Sequence, residues 1–322
     1  MKFRAKGRTP VWHKIAYNNP EAVEGFFDWI NERHAIYLRR AAGEPAPWTK
    51  DPILRQYKFT NPFRENDRVT VWMRQNWTNP NRDRPWGEII FNCCLFRSVG
   101  TSDFAEDHGW VRQWDPAYTK DLIETRLENK LKTFTGAYIV TNQGLKLRKS
   151  EVVADYFLSP LWVAKDHLAK VAEICTTLQG VHKVLGTFRG WGGGGFMAYE
   201  VVTDLNYTPV LQNAMDRFSW ANAGPGAKRG LNRLQGRPLN KSISADVANQ
   251  EMQELLYAAV HYSKNSCGRL RDCPVKQIDM RTIEHSLCEW DKYERVRLGH
   301  GRPRSRFDDS TNRGSPVIGF VK

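Results

Sequence analysis

The feature that most constrains this chain is a recurring apolar spacing of three and four residues, cut at intervals by glycine and proline. Val23, Phe26, Phe27, Ile30, Ile36 and Leu38 share that period, and Pro20 suits a first helical turn while Gly43 and Pro45 stop the run. Asp51-Pro52 predicts a second helix start, with the carboxylate capping and proline at the first position. Trp86, Ile89, Ile90, Cys93 and Cys94 form another apolar face, and 122–134 and 160–178 predict two more helices. Alternation of strand type is brief, best at Ala137-Tyr138-Ile139-Val140. A mainly α chain with short β segments follows. No internal repeat or interdomain linker is visible, so the expected organisation is a basic arm over 1–18, a helical body over 19–298 and a basic, irregular tail over 299–322.

Charge points to the partner. The 322 residues carry 48 Lys and Arg against 35 Asp and Glu, a net charge of +13. A field of that sign concentrates polyanions, with nucleic acid first and a merely solubilising charge as the alternative. The 12 Trp, 11 Tyr and 15 Phe favour nucleic acid, since bases stack on flat apolar faces, although most of these rings must be core. With 41% hydrophobic residues the chain can bury a core, and no apolar run approaches the roughly 18 residues that span a bilayer. The N-terminus lacks a secretory apolar stretch, so a soluble, cytoplasmic protein is expected. Six cysteines are too few for a disulfide scaffold. Cys267, Cys273 and Cys288 lack a CxxC pair, so no metal site is assigned.

Three segments carry candidate chemistry. In Leu185-Gly186-Thr187-Phe188-Arg189-Gly190-Trp191-Gly192-Gly193-Gly194-Gly195, a glycine turn before a helix can present backbone N–H groups to a DNA phosphate, as a helix-hairpin-helix element does. The four-glycine run is longer than the usual hairpin turn, and a flexible loop or a nucleotide-phosphate loop is the alternative. A Walker-type loop is excluded there, because no Gly-Lys-Ser or Gly-Lys-Thr follows. Downstream, Asp216 precedes Trp220 and the turn Gly224-Pro225-Gly226, followed by Lys228 and Arg229. A carboxylate and two cations there suit a pocket, whereas a helix cap and a plain loop are the structural alternative. Near the N-terminus, Trp48, Asp51, Asn61, Arg64 and Arg68 lie in a dense polar–aromatic mix suited to stacking a flipped base and reading its edge. Arg64 and Arg68, four apart, either grip an anion together or pair with Glu65 and Asp67 on a surface helix. The segment Glu284-His285 to Tyr293 looks helical, and its histidine beside carboxylates is read as structural.

Taken together, Trp48-Thr49-x-Asp51-Pro52-Ile53-Leu54, Phe59-Thr60-Asn61-x-x-Arg64-x-x-Asp67-Arg68, Phe196-Met197-Ala198-Tyr199-x-Val201-Val202-x-Asp204-Leu205, Gly224-Pro225-Gly226-x-x-Arg229-Gly230-Leu231 and Cys288-Glu289-x-x-Lys292-Tyr293 resemble a phage-associated family. It comprises the α-glutamyl/putrescinyl thymine pyrophosphorylases, or amino acid:DNA transferases, and the helical domain of 5-hydroxymethyluracil DNA kinases. The resemblance implies a helix-hairpin-helix DNA glycosylase-like fold with the hairpin at about 185–204. It also implies the stand-alone transferase branch, since no P-loop domain accompanies these residues.

The chemistry implied is displacement of pyrophosphate from 5-pyrophosphoryloxymethyluracil in double-stranded DNA by a free amino acid or polyamine, in an infected bacterial cell. Asp216 and Asp204 would be catalytic, with Asp216 the base. Arg64, Lys228, Arg229, Asn61, Trp48, Asp51, Trp220, Glu289 and Lys292 would hold the substrate nucleotide and its pyrophosphate. Gly190, Gly192, Gly194, Arg189, Arg302 and Arg304 would contact DNA. No cofactor is assigned; a divalent cation on the pyrophosphate is conceivable, but no ligand spacing encodes one. No four-cysteine cluster is present, and Gly-Phe-Met-Ala stands where bifunctional glycosylases carry a lysine. A glycosylase excising a modified thymine is therefore the first alternative, and a non-catalytic binder of modified DNA the second.

Overall fold

A computed structural model describes residues 17–136, 141–263, 268–303 and 305–307. The described residues are helical, with only isolated bridges at Tyr57–Arg306 and Ser263–Leu270 in place of strands. The expected strand at 137–140 lies outside the described residues, as do Cys267, Arg304, most of the N-terminal arm and the end of the tail.

Helix α1, Pro20–Ala41, starts where Asn19 accepts the Ala22 N–H and Pro20 fills the first turn; it buries Val23, Phe26, Phe27 and Ile30. Asp51 caps α2, Pro52–Gln56, accepting from Ile53 and Leu54 at 2.7 and 3.0 Å, as its sequence predicts. Helix α3, Trp86–Val99, is buried along nearly its whole length, which its apolar composition requires, and ends at Gly100 with φ 73.

Two helices differ from expectation. The third helix in this region, α4, spans Pro116–Glu128 rather than 122–134: Asp115-Pro116 starts it as Asp51-Pro52 starts α2, and left-handed Lys130 follows its end. The predicted 160–178 helix is instead Ser159–Val163 and then α5, Lys165–Cys175, because Ala164 leaves helical geometry and Thr176 turns left-handed. Thr177 then caps α6, Leu178–Leu185.

The remaining frame is α7, Phe196–Leu205, α8, Pro225–Leu234, α9, Ala245–His261, and α10, Met280–Arg297. Helices α8 and α10 pack at close range because Gly226 and Gly230, four apart, face α10. A Cβ on Gly230 would lie 2.8 Å from the Leu287 carbonyl oxygen, too close for any side chain. Helix α10 thus runs beside the 224–226 turn and packs on α1, α2 and α9 as well. The described end of the tail lies on the body: Lys58 N–H donates to the Ser305 carbonyl at 3.2 Å and Phe307 N–H to that of Gln56 at 3.0 Å. Helices α6 and α7, joined by the glycine run, pack on each other. The described residues establish a mainly α architecture.

Candidate functional site

Glu200 and Asp204 lie one turn apart on α7, on one face of a mostly apolar helix. Both are buried. Arg97, from the middle of buried α3, makes a two-pronged pair with Asp204 through Nε and Nη2 and lies 3.6 Å from Glu200. Arg281 of α10 donates to Glu200 at 2.5 Å, and Arg64 approaches the same carboxylate at 3.9 Å. Burial opposes the charge on Glu200, but Arg281, Arg97 and Arg64 hold its pKa well below the ordinary carboxylate range. Three helices and the 64–66 turn thereby meet at one ionic centre.

Glu284 stands one helical turn beyond Arg281, whose guanidinium is 3.8 Å away, and accepts the Gly224 N–H at 3.3 Å. It is 7% exposed. Burial pushes its pKa up to about 7; Arg281 and the Gly224 N–H limit the rise. Beside it, Cys288 faces Gly226 and is open to solvent, while surrounding protein, Glu284 and Glu289 push its thiol up to about 12. Arg281 lies 4.8 Å over the Tyr199 ring, and Trp220 meets Tyr199 edge to face at 5.6 Å. His182 packs 5.2 Å from Trp220 and touches the Gly195 carbonyl at 3.0 Å; burial lowers its pKa. The result is a neutral-pH proton site bordered by a cation, a tight glycine turn and aromatic faces.

A second neighbourhood lies farther along α10. Glu289 accepts the Thr60 N–H at 2.7 Å and pairs with Lys292 at 2.7 Å, while Lys292 sits 4.7 Å over Phe59. Asn61 accepts the Phe63 N–H at 2.9 Å, leaving its buried Nδ2 without a hydrogen-bond partner among the described residues. Asp51, besides its cap, accepts from the Tyr293 hydroxyl at 2.7 Å. Trp48 donates to the Glu44 carbonyl at 2.7 Å, carries Arg40 5.0 Å above its ring and meets Phe307 of the tail at 6.3 Å.

Other expected site residues have different surroundings. The carboxylate of Asp216, expected as the base, accepts the Leu178 and Gln179 N–H groups at 2.7 and 2.9 Å, at the start of α6. Asp204 is held on Arg97 inside the protein. Arg64 and Arg68 share no helix face: Arg64 belongs to a 3-10 turn and points to Glu200, whereas Arg68 opens the next helix after the Asp67 cap and is exposed. Arg229 and Arg233 share the fully buried Asp291, at 2.8 and 2.9 Å. Lys228 has no ion-pair partner among the described residues.

The glycine run joins α6 to α7. Gly190, Gly193 and Gly195 have φ of +90, +66 and +69, and a Cβ on Gly192 would lie 2.6 Å from the Gly186 carbonyl. Gly192, Gly193 and Gly194 are exposed, as is Arg189, which lies 5.8 Å over Tyr156; Asn222 ties the Gly194 carbonyl at 2.9 Å. Arg302 is exposed.

Sequence reading missed Arg97, Glu200 and Arg281 and named Glu284 only as a carboxylate beside a histidine read as structural. The available signal was a charge placed where helical periodicity demands an apolar residue: Arg97 after Cys93-Cys94-Leu95-Phe96, and the Glu200/Asp204 pair in an apolar helix. Among the described residues no group of three His, Cys, Asp or Glu side chains could hold a metal ion. No helix among them is long and apolar enough to cross a membrane.

A family model described as the helical domain of 5-hmdU DNA kinase matches residues 20–302. The chain is similar to a 5-hmdU DNA kinase of Bacillus phage SP10, 25% identical over 307 residues, covering 85% of this chain and 46% of that protein. It thus spans about half the length of that curated relative. No solved structure matches. The match extends from the start of α1 to just beyond α10 and so contains the ionic centre, the glycine run and the Glu284 site: the chain belongs to the 5-hmdU DNA kinase helical-domain family.

Proposed function

We propose that this domain binds duplex DNA, draws out a nucleotide derived from 5-hydroxymethyluracil, and replaces the pyrophosphate on its 5-methylene carbon with an amine. The observation that carries the reading is Glu284, a buried carboxyl titrating at about 7 beside Arg281 and the Gly224–Gly226 turn. An incoming amine is protonated at neutral pH and must lose that proton before it attacks, and a carboxylate of matched pKa is suited to take it. The nitrogen–carbon bond forms as the carbon–oxygen bond to pyrophosphate breaks. The electron pair leaves with the pyrophosphate, whose charge falls to Arg281, Arg64 and Lys228. In this assignment Glu284 takes the role first expected of Asp216. Trp220 supplies a stacking face, and the exposed amides of Gly192, Gly193 and Gly194 suit DNA phosphate. A divalent ion would come with the pyrophosphate.

A second reading is recognition of the modified base without chemistry, favoured by the match to a portion of a kinase. Incubation with DNA containing 5-pyrophosphoryloxymethyluracil and a panel of amino acids and polyamines, followed by digestion and mass spectrometry of nucleosides, separates the two. An amine-bearing nucleoside that disappears in Glu284→Gln supports transfer. Tight binding with unchanged nucleosides supports recognition alone, and free base with an abasic site would identify a glycosylase.

A further inference from the structure

The segment between α7 and α8 is anchored to several elements at once. Asp216 accepts two N–H groups of α6, Arg217 pairs with Asp279 at 3.0 Å, Ser219 accepts from Gln253 at 2.7 Å, and Asn222 donates to Gly194 at 2.9 Å. A loop so tethered holds its shape. Yet Phe218, in its middle, is 52% exposed, and Met215 is 74% exposed. The Arg217 guanidinium, fixed by Asp279, lies 5.5 Å over the Phe218 ring, so a cation accompanies this apolar face. Two residues later the same loop delivers Trp220 to Tyr199 and the Glu284 site, and its Asn222 tie reaches the exposed glycine amides.

We infer that Phe218 is the side chain that enters the duplex and fills the gap left by the extruded nucleotide. This inference rests on the base-extruding activity proposed above. The occupant is a base stack: Phe218 offers it an apolar ring, Arg217 supplies a charge complementary to the phosphates beside it, and the glycine run offers N–H groups to the same strand. Apolar wedges of this kind unstack base steps when the backbone around them is held by phosphate contacts. Rigidity matters because a mobile loop would yield to the stack instead of parting it.

The test uses the full chain, without amine, and a duplex in which 2-aminopurine neighbours a single 5-pyrophosphoryloxymethyluracil. At saturating wild-type protein the fluorescence should rise severalfold as stacking is lost. Phe218→Ala should lose most of that rise, while DNA affinity at low salt falls by less than about threefold because the phosphate contacts remain. Phe218→Leu should restore it, and neither variant should alter the melting temperature. A wild-type rise that Phe218→Ala reproduces in full would overturn the wedge and leave the proposed function standing. No rise with wild-type protein would remove both. A fluorescence loss in Phe218→Ala that follows loss of binding would make Phe218 a general contact and also overturn the assignment.

Discussion

Replacing Glu284 with glutamine should stabilise the protein and abolish its proposed activity together. Glutamine keeps an oxygen for the Gly224 N–H but has no charge to bury. The folded pKa lies above the ordinary 4.5, at about 7, so the folded state favours the protonated acid. Its contribution to stability is complete below about pH 4.5 and is lost as pH rises through about 7. At roughly 1.4 kcal/mol per pKa unit, the ionised glutamate costs the fold about 3 kcal/mol at pH 8 and less than about 1 kcal/mol at pH 5. Urea unfolding at both pH values reads this difference. Glu284→Gln should be the more stable protein at pH 8 by up to that amount, with the gain mostly gone at pH 5. Turnover of the wild type should rise through about pH 7, as Glu284 ionises, and fall by about a hundredfold or more in the variant. A stability change equal at the two pH values, or a destabilised variant at pH 8, would refute the view of Glu284 as a carboxyl held near neutrality by burial.

Other substitutions probe the surrounding frame. Arg97→Met strands the buried Asp204 and should cost about 3–5 kcal/mol in chemical denaturation. Asp204→Asn should cost less, since Arg97 retains Glu200 at 3.6 Å. Gly230→Ala should lower the melting temperature markedly, because its Cβ meets backbone of α10 that cannot give way. Lys228→Ala should reduce turnover with melting and DNA affinity nearly unchanged. Arg189→Ala should do the opposite, weakening DNA binding and reducing the salt slope by about one while turnover on bound DNA persists.

Helix starts were legible where a short polar residue precedes proline. The sequence predicts the α1 start from Pro20 alone and the α2 start from Asp51-Pro52; Asn19 before Pro20 and Asp115 before Pro116 carry the same signal. Breaks were less legible: nothing in the composition of Ala164 or Thr176 announces the turn that divides 160–178. In the site, Tyr199, Trp220, Arg64 and the Gly224–Gly226 turn were visible as types and spacings. Glu284 was visible only as a residue beside a histidine, and its raised pKa comes from burial that no local pattern reports. Arg229 illustrates the converse: a cation in a promising motif is tied to a buried aspartate.

The sequence by itself determined the helical class, the positions of capped helix starts, the excess of positive charge and the family, because all of these reside in residues near one another along the chain or in their sum. The tertiary structure alone decided which charges meet. Arg97 and Asp204 are 107 positions apart, and Glu200 and Arg281 are 81. Electrostatic strength depends on distance and on exclusion of water, both of which arise only once α3, α7 and α10 have packed. The same packing turns Asp216 toward a helix start, brings Glu284 under the glycine turn, and leaves Phe218 facing outward on a loop that cannot fold it away.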